Sequence, residues 1–161
     1  MITQDRLVEV LEYCESTGIF TWTNASKFHP RMNGKVAGAI ATGYVVIKID
    51  GEKYKAHRLA WLYVNGELPD LDIDHVNGCP LDNRIDNLRV ATNPQNQANR
   101  KRNKGKELSK GVRITASGKF KARISVNKKQ IDLGNFRSEI EAAMCYEYAA
   151  RHYYGEFSRA S

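Results

Sequence analysis

Apolar positions along the chain follow helical spacing in some segments and strand spacing in others, which predicts a mixture of short helices and strands. Near the N-terminus, helical spacing relates four positions: Leu7, Val10, Leu11 and Cys14. They predict an amphipathic helix over residues 3–15, which Gly18 ends. The stretches GIFTW and GYVVIKIDGEKYK then predict strands, and the second stretch turns at Asp50 and Gly51, a pair that tolerates positive φ.

The middle of the chain predicts two further helices around a pair of strands. HRLAWLYVNG carries its apolar residues on one helical face and ends at Gly66. DIDHVNG begins as a strand and closes in a turn, and NLRVAT is a second short strand. Thr92 and Gln95 then form a capping box for a helix with Pro94 in its first turn, so the local order is strand, loop, strand, helix.

The last third of the chain predicts a linker followed by a small sheet and a helix. NRKRNKGKELSKG has no apolar residue before Leu108 and is typical of a linker. GVRITASG, KFKARISVN and KQIDLGNF predict a three-stranded antiparallel meander. Ser138 and Glu141 form a capping box for a helix that runs to about Tyr154 and ends at Gly155. Its predicted core positions are Ala142, Ala143, Tyr146, Ala149, Ala150 and Tyr153.

Composition narrows the class of protein. Apolar residues make up 42% of the chain, as in ordinary globular domains, which excludes disordered and collagen-like chains. No segment approaches the ~18 apolar residues of a membrane helix, and the N-terminus lacks a secretion signal, so we expect a cytoplasmic protein with no membrane partner. Cys14, Cys79 and Cys145 are odd in number and far apart, and we expect buried, reduced thiols rather than disulfides or a structural zinc site.

Charge is unevenly distributed along the chain. The net charge is +7, yet residues 1–99 carry ten Lys/Arg and twelve Asp/Glu, whereas residues 100–161 carry fifteen and six. The positive excess therefore lies in the C-terminal part, which predicts that a polyanion, usually nucleic acid, binds mainly there. A basic solubilising tail is the alternative, but such a tail would lack the predicted strands and helix.

The segment LDIDHVNGCPLDNRIDNLRVATNPQNQANR is rich in amides, which a packed core cannot use because each buried amide needs hydrogen-bond partners. Phosphodiester hydrolysis needs a base, a hard cation and rigid placement of both. Asp74 could offer a carboxylate oxygen to Mg2+ or a similar ion, and an Asn side chain a second oxygen. His75 could accept a proton from water, because its ordinary pKa of about 6.5 lies near neutral pH. A polar surface hairpin is the alternative.

The stretch DHVNGCPLDNRIDNLRVATNPQNQANR resembles the HNH nuclease motif of phage and intron-encoded homing-type endonucleases. The upstream phrase GKVAGAIATGYVVIKIDGEKYKAHRLAWLYVNGELP extends the resemblance to about residues 18–100. It implies a hairpin and helix that hold one divalent metal, with Asp74 as a ligand and His75 as the general base. Asn87 would brace the loop and hold the backbone or ring of His75. Asn96 would be the second ligand, and because it is Asn rather than His, Mg2+ is favoured over zinc, with Mn2+ as an alternative.

Two arginines and one histidine within residues 18–100 can each be interpreted in two ways. Arg84 and Arg89 could contact phosphates of the cut strand, or they could pair with Asp82 and Asp86, and the sequence does not choose between these. His57 matches a position of the family, but packing beneath the site with a hydrogen-bonded ring is favoured over catalysis.

The C-terminal segment predicts a sheet with one basic face. In KFKARISV, alternation separates apolar residues from Lys119, Lys121 and Arg123, which suit phosphates and base edges. Residues 109–161 resemble an AP2-type DNA-binding domain in GVR, LGNF and EAAMCYEYAARHYYG. The resemblance implies that Arg113 contacts DNA and that Arg123 stands in place of a contacting Glu. The full set of predicted DNA-binding residues is Arg84, Arg89, Arg100, Lys101, Arg102, Lys110, Arg113, Lys119, Lys121 and Arg123.

We therefore expect an α+β protein of two modules. Residues 1–99 would form a ββα-metal (HNH, His-Me finger) nuclease module with its core at about 70–99, residues 100–108 a basic linker, and residues 109–161 an AP2-like sheet of three strands with one packed helix. The expected activity is metal-dependent cleavage of one or both strands of double-stranded DNA, by a monomer or weak dimer without a small-molecule cofactor, in a bacterial or phage-infected cell. A DNA-binding regulator with an inactive HNH site is the alternative.

Overall fold

The computed structural model describes residues 2–24, 30–99 and 108–158 of the chain. These residues form four α-helices and ten strands, and the strands lie in four small antiparallel sheets, which confirms a mixed fold of helices and small antiparallel sheets. Contacts divide the chain into two units, Met1–Ala91 and Thr92–Ser161. Of the expected linker, only Leu108 is among the described residues.

The first unit begins with a short helix and a hairpin. Helix α1 spans Gln4–Val10, and strand β1 (Leu11–Cys14) pairs antiparallel with β2 (Ile19–Trp22). The predicted helix is therefore too long, because its C-terminal part is a strand. Leu11 and Tyr13 point into the core and alternate with exposed residues, so strand pairing overrides the helical spacing of the sequence.

The second sheet of this unit leads directly into a helix. Its strands, in sheet order, are β3 (Ala39–Ala41), β4 (Tyr44–Ile49) and β5 (Glu52–Lys55). The predicted turn between β4 and β5 is confirmed, with φ of 49° at Asp50 and 87° at Gly51. Helix α2 (Ala56–Asn65) follows and ends, as predicted, at Gly66 with φ 83°.

A two-stranded hairpin completes the first unit. Strand β6 (Asp72–His75) pairs antiparallel with β7 (Leu88–Ala91), and both strands are confirmed from the sequence. A turn of 3-10 helix, Ile85–Asn87, precedes β7. The helices and hairpins share one hydrophobic core, whose largest fully buried side chains are Phe20, Leu7, Leu11, Ile47, Leu59 and Val10. Each such side chain contributes about 1.5–3 kcal/mol through burial.

The second unit begins with α3 (Asn93–Asn99), which follows Thr92. The backbone N–H and the hydroxyl of Thr92 both donate to Oε1 of Gln95, at 2.8 Å each, which is the Gln95 half of the predicted capping box. Ala98 of α3 packs in the core of this unit, against side chains of its sheet and of its last helix.

The rest of the second unit is a meander with one long helix. Strands β8 (Val112–Ile114), β9 (Phe120–Val126) and β10 (Lys129–Phe136) form a sheet with β9 in the centre. Helix α4 (Glu139–Tyr154) packs on it, and the predicted capping box of Ser138 and Glu141 is confirmed with both reciprocal hydrogen bonds.

The buried face of α4 differs slightly from the predicted face. Tyr153 was predicted in the core but is 45% exposed, whereas Tyr154 is 9% exposed and its hydroxyl donates to the carbonyl of Ser125 on β9. Tyr146, Ala150 and Tyr154 recur every four residues, and this row lies over the sheet. Ala143 is half-buried.

Two further expectations concern the burial of the cysteines and the lack of a membrane-spanning helix. The thiols are free, but Cys14 and Cys79 are exposed and Cys145 is half-buried, so the prediction that each is buried is wrong. Cys14 follows the inward-pointing Tyr13 on β1 and Cys79 lies in the loop after β6, where neither side chain can reach the core. No helix of the described residues is long and apolar enough to cross a membrane.

Gly111→Ala is expected to lower the free energy of unfolding more than Gly118→Ala. The two glycines have φ of 75° and 76°, so both substitutions carry the cost of about 1–2 kcal/mol for a left-handed L-residue. A Cβ at Gly111 would also lie 2.0 Å from Cδ2 of Tyr146, whereas nothing lies within 4 Å at Gly118. This overpacking adds roughly 1–3 kcal/mol. Urea unfolding of the full chain measures both variants, and equal losses would contradict the packing argument.

Candidate active site

His75 is the last residue of β6 and is 6% exposed. Its Nε2 lies 3.3 Å from Oδ1 of Asn83. The amide nitrogen of Asn83 donates to the carbonyl of Leu81 at 3.3 Å, so the amide oxygen faces the histidine ring. This hydrogen-bond pattern assigns the hydrogen of the neutral imidazole to Nε2 and its lone pair to Nδ1.

Asn83 is itself held by the N-terminal hairpin. It is 2% exposed, and its carbonyl accepts a hydrogen bond of 2.7 Å from the hydroxyl of Tyr13 on β1. Gly18, in the turn between β1 and β2, lies so close that a Cβ there would be 2.5 Å from the backbone nitrogen of Arg84. No site role was predicted from the sequence for Tyr13 or Gly18. Tyr13 could be found only through the β1 alternation, and nothing in the sequence indicates the Gly18 contact.

Asn87 clamps the loop that follows β6. It is 7% exposed, and its Oδ1 accepts from the backbone N–H of Asn77 at 2.9 Å. Its Nδ2 donates to Oδ1 of Asn77 at 3.1 Å and to the carbonyl of Asp82 at 2.8 Å. The backbone carbonyl of Asn87 accepts from the N–H of Val76, the residue after His75. Asn87 thus contacts the backbone on both sides of the turn.

Asp74 is 7% exposed and lies opposite Arg89 in the hairpin register. Nε of Arg89 donates to Oδ2 of Asp74 at 3.1 Å, and the second guanidinium nitrogen lies 3.0 Å from the same oxygen. The acidic partner of Arg89 in this structure is therefore Asp74, rather than Asp82 or Asp86. A buried carboxylate requires such a partner, because its charge has lost most of its hydration.

Arg84 adopts the paired arrangement that the sequence left open. Its Nε and one terminal nitrogen donate to the two oxygens of Asp82, at 2.8 Å and 2.7 Å. This pairing lowers the pKa of Asp82 to about 2. The pair lies at the loop end next to Asn83, where the carboxylate also accepts from Nδ2 of Asn77.

Two rings pack against His75 from the neighbouring elements. The ring centroid of His57 on α2 lies 5.0 Å from that of His75, and the ring of Tyr44 on β4 lies 6.4 Å from it. Burial, with the neighbouring His75 ring and the cations of Lys55 and Arg58, lowers the pKa of His57 to about 3. The packing role expected for His57 fits this geometry, but its Nδ1 has no hydrogen-bond partner among the described residues.

The electrostatic setting favours a neutral His75. Burial lowers its pKa, while the hydrogen bond with Asn83 and the charges of Asp74 and Asp82 act in the opposite direction. Burial has the larger effect, so the ring is uncharged near neutral pH. An uncharged imidazole with its lone pair on Nδ1 is the form that can accept a proton.

The oxygen ligands predicted for a metal lie in different units. Asp74 lies on β6 in the first unit, and Asn96 lies on α3 in the second, where it is half-buried. Within the described ranges, no group of three His, Cys, Asp or Glu side chains is arranged to hold a metal ion. Asp74 places a carboxylate next to the histidine, and a carboxylate is a donor that fits a hard divalent ion.

The predicted DNA-binding residues of the second unit follow one face of its sheet. Arg113 on β8 lies directly opposite Lys121 on β9, and Arg113 is exposed, as is Lys119 just before β9. Asp132 on β10 forms ion pairs with both Lys121, at 2.6 Å, and Arg123.

The remaining predicted DNA-binding residues are Lys110 and three residues of the expected linker. Lys110 is half-buried, and its ammonium group donates to the carbonyl of Ala98 at the end of α3. That ammonium group therefore has an intramolecular partner. Arg100, Lys101 and Arg102 lie outside the described residues.

Gly18→Ala is expected to destabilise the protein more than Gly51→Ala. Both glycines have positive φ, 72° and 87°, but only Gly18 faces backbone atoms, those of Asn83 and Arg84 at 2.5 Å. Backbone cannot rotate away as a side chain can, so we expect a loss of about 2–4 kcal/mol at Gly18 and about 1–2 kcal/mol at Gly51. Urea unfolding curves of the two variants measure the difference, and similar losses would show that the turn and the Asn83 segment do not press on each other.

Comparisons with known proteins agree on the segment that contains His75. The sequence profile of the HNH endonuclease family matches residues 54–98. A protein of Acanthamoeba polyphaga mimivirus, named as an uncharacterized HNH endonuclease, is 34% identical over 119 residues, which are 73% of this chain and 62% of that protein. The chain thus covers less than two thirds of this relative's length. No solved structure matches the chain. Asp74, His75, Asn87 and Asn96 all lie within the segment that matches the HNH endonuclease family.

Proposed function

We propose that this protein is a metal-dependent endonuclease that hydrolyses phosphodiester bonds of double-stranded DNA. The observation that carries the proposal is the buried imidazole of His75, with Nε2 held by Asn83 and its lone pair on Nδ1, inside the HNH family domain. A base fixed in one tautomer by a neighbouring amide is the arrangement that activation of water requires.

His75 is the general base in this proposal. Its Nδ1 takes a proton from a water molecule, and the resulting hydroxide attacks the phosphorus in line with the leaving 3′-oxygen. The new bond joins phosphorus to the water oxygen, and the bond between phosphorus and the 3′-oxygen breaks with its electron pair on that oxygen, which then takes up a proton. The products are a 5′-phosphate and a 3′-hydroxyl. Asn87 supports the step indirectly, because its hydrogen bonds fix the loop next to His75.

Asp74 is proposed as a ligand of the divalent ion, Mg2+ or Mn2+. When bound, such an ion stabilises negative charge on the phosphate and on the leaving oxygen. Arg89 donates to one oxygen of Asp74, and this pair orients the carboxylate next to His75. Asn96 as the second ligand stays a prediction that rests on the motif alone.

The C-terminal unit is proposed to bind DNA and to direct the nuclease to its target, as expected of an AP2-like module in a homing-type enzyme. Exposed Arg113 and Lys119 support the proposal on the open face of the sheet. On the same face, Asp132 and Gln130 hold the guanidinium of Arg123 by hydrogen bonds. A guanidinium held in this way loses less side-chain entropy when it contacts a base or phosphate.

The nuclease proposal predicts Mg2+-dependent cutting of supercoiled plasmid that carries the target. His75→Ala should reduce the rate by roughly 10²–10⁴-fold, the usual contribution of a general base. A chelator should stop cutting by the unchanged protein. Gel separation of supercoiled, nicked and linear plasmid measures the rates.

His152→Ala is the matched control for this test, because His152 is an exposed histidine on α4. It should cut at the unchanged rate. Equal cutting by the His75 and His152 variants would rule out His75 as the base. Binding without cutting by the unchanged protein, with either Mg2+ or Mn2+, would instead favour the DNA-binding regulator with an inactive site.

The proposed role of the C-terminal sheet predicts that Arg113→Gln weakens DNA binding more than Arg151→Gln. Both arginines are exposed, but Arg113 lies on the open face of the sheet and Arg151 on α4, which packs on the opposite face. Loss of one phosphate contact should reduce the salt slope of the affinity by about 0.9, and loss of one base contact should cost about 1–3 kcal/mol. Fluorescence anisotropy with a labelled duplex measures both, and equal affinities would contradict the role of this face.

A further inference from the structure

Three lysines of the first unit lie on one face of the β3-β4-β5 sheet, and we refer to them as the lysine ladder: Lys48, Lys53 and Lys55. Lys48 and Lys53 are directly opposite each other in the β4–β5 register, and Lys55 is opposite Val46, two residues before Lys48. Residues directly opposite in an antiparallel pair point to the same side, so all three ammonium groups extend from the same face. All three lysines are exposed.

The facing lysines of the ladder do not stabilise the folded sheet. Like charges directly opposite in a sheet repel and destabilise the pairing. Among the described residues, none of the three forms an ion pair that would offset this repulsion. Lysines on edge strands protect against aggregation, which could explain Lys53 and Lys55 on β5. It does not explain Lys48, because β4 is the central strand.

Tyr44 connects the ladder to the histidine site. The ammonium nitrogen of Lys55 lies 4.3 Å above the centre of the Tyr44 ring, a cation–π contact. The same ring lies 5.5 Å from the centroid of His57 and 6.4 Å from that of His75. The basic face therefore begins at the wall of the candidate active site and extends from it along β4 and β5.

We propose that the lysine ladder binds the phosphate backbone of the DNA strand next to the bond that is cut. The inference rests on the proposed nuclease function and extends it with a binding surface in the first unit. Each lysine neutralises a phosphate of a strand that passes His75, with Lys55 nearest to the reacting group. The cost of Lys–Lys repulsion is relieved when the phosphates bind, because the anions then lie between the cations.

The test compares DNA affinity of the full chain with that of a variant in which Lys48, Lys53 and Lys55 are all replaced by Gln. The probe is a labelled duplex of random sequence, in chelator so that nothing is cut. We expect the slope of log affinity against log salt to fall by about 0.9 for each lost phosphate contact, with a loss of roughly tenfold or more at low salt. Replacement of the three lysines by Arg should keep the slope of the unchanged protein.

Two controls separate binding from folding. Lys35→Gln removes one exposed lysine of the same unit that is not on the ladder, and it should change the slope less than Lys53→Gln. The melting temperature of the triple Gln variant should stay close to that of the unchanged protein, because loss of the Lys48–Lys53 repulsion offsets loss of the Lys55–Tyr44 contact.

The outcomes distinguish the ladder from the nuclease proposal when plasmid cutting with Mg2+ is measured in parallel. If the unchanged protein cuts but the triple Gln variant binds DNA with the same slope and affinity, the ladder proposal is wrong and the nuclease proposal stands. That result would also be expected if the ladder served an acidic protein. If binding depends on the ladder but no protein cuts, the nuclease proposal fails and the ladder remains a DNA-binding surface. If the unchanged protein binds no DNA, both fail.

Discussion

The hydrogen bond between Nε2 of His75 and Oδ1 of Asn83 is the contact on which the rest of the candidate site depends. It assigns the imidazole lone pair to Nδ1, and it does so only while the Asn83 amide keeps its orientation. The carbonyl of Leu81 orients this amide, and the hydroxyl of Tyr13, 70 positions away in sequence, fixes the backbone of Asn83. The N-terminal hairpin is therefore part of the site's support, and substitutions there should affect stability and the histidine together.

Burial imposes a second constraint on the same site. Asp74, His75 and Asn87 are each at most 7% exposed, so each polar group needs a partner within the protein. Arg89 offsets the charge of Asp74, and loss of either partner of a buried pair typically costs about 3–5 kcal/mol. The arginine that could have faced a phosphate is thus paired with the carboxylate next to the histidine. The same residues of the hairpin therefore have both a structural role and a proposed chemical role.

Local signals accounted for most elements, and contacts between distant segments accounted for most of what the sequence missed. Gly66, the Asp50 turn and the Ser138 capping box mark element ends by backbone geometry that a short sequence already specifies. The strand nature of β1 depends on β2 as its partner, and the Tyr13 contact depends on a fold that closes over 70 residues. Neither leaves a local pattern in the sequence.

The pairing of Arg89 was not predicted for a different reason, because the sequence held enough information to predict it. Both hairpin strands were predicted, and the register that pairs Asp74 with Arg89 follows once their ends are aligned. Asp82 and Asp86 are nearer to Arg89 in sequence, whereas its partner Asp74 lies across the hairpin. Charge sums by sequence region likewise do not show which charged groups are paired. Residues 1–99 carry a small negative excess, and four carboxylates of their described part are paired with arginines: Glu9 and Asp50 with Arg6, Asp74 with Arg89 and Asp82 with Arg84.

Pairing of this kind changes where positive charge is available to a polyanion. In the first unit the acidic groups are partly used by arginines, and exposed lysines stand without ion pairs among the described residues. In the second unit, Lys121 and Arg123 share the carboxylate of Asp132, so these two cations already have an acidic partner. The ion pairs leave the charge sums of the two regions unchanged, but they show that lysines, rather than arginines, are the cations of the first unit that are available to a polyanion. A DNA strand held only by the C-terminal part would have no electrostatic reason to lie next to His75, whereas charge on the first unit supplies one.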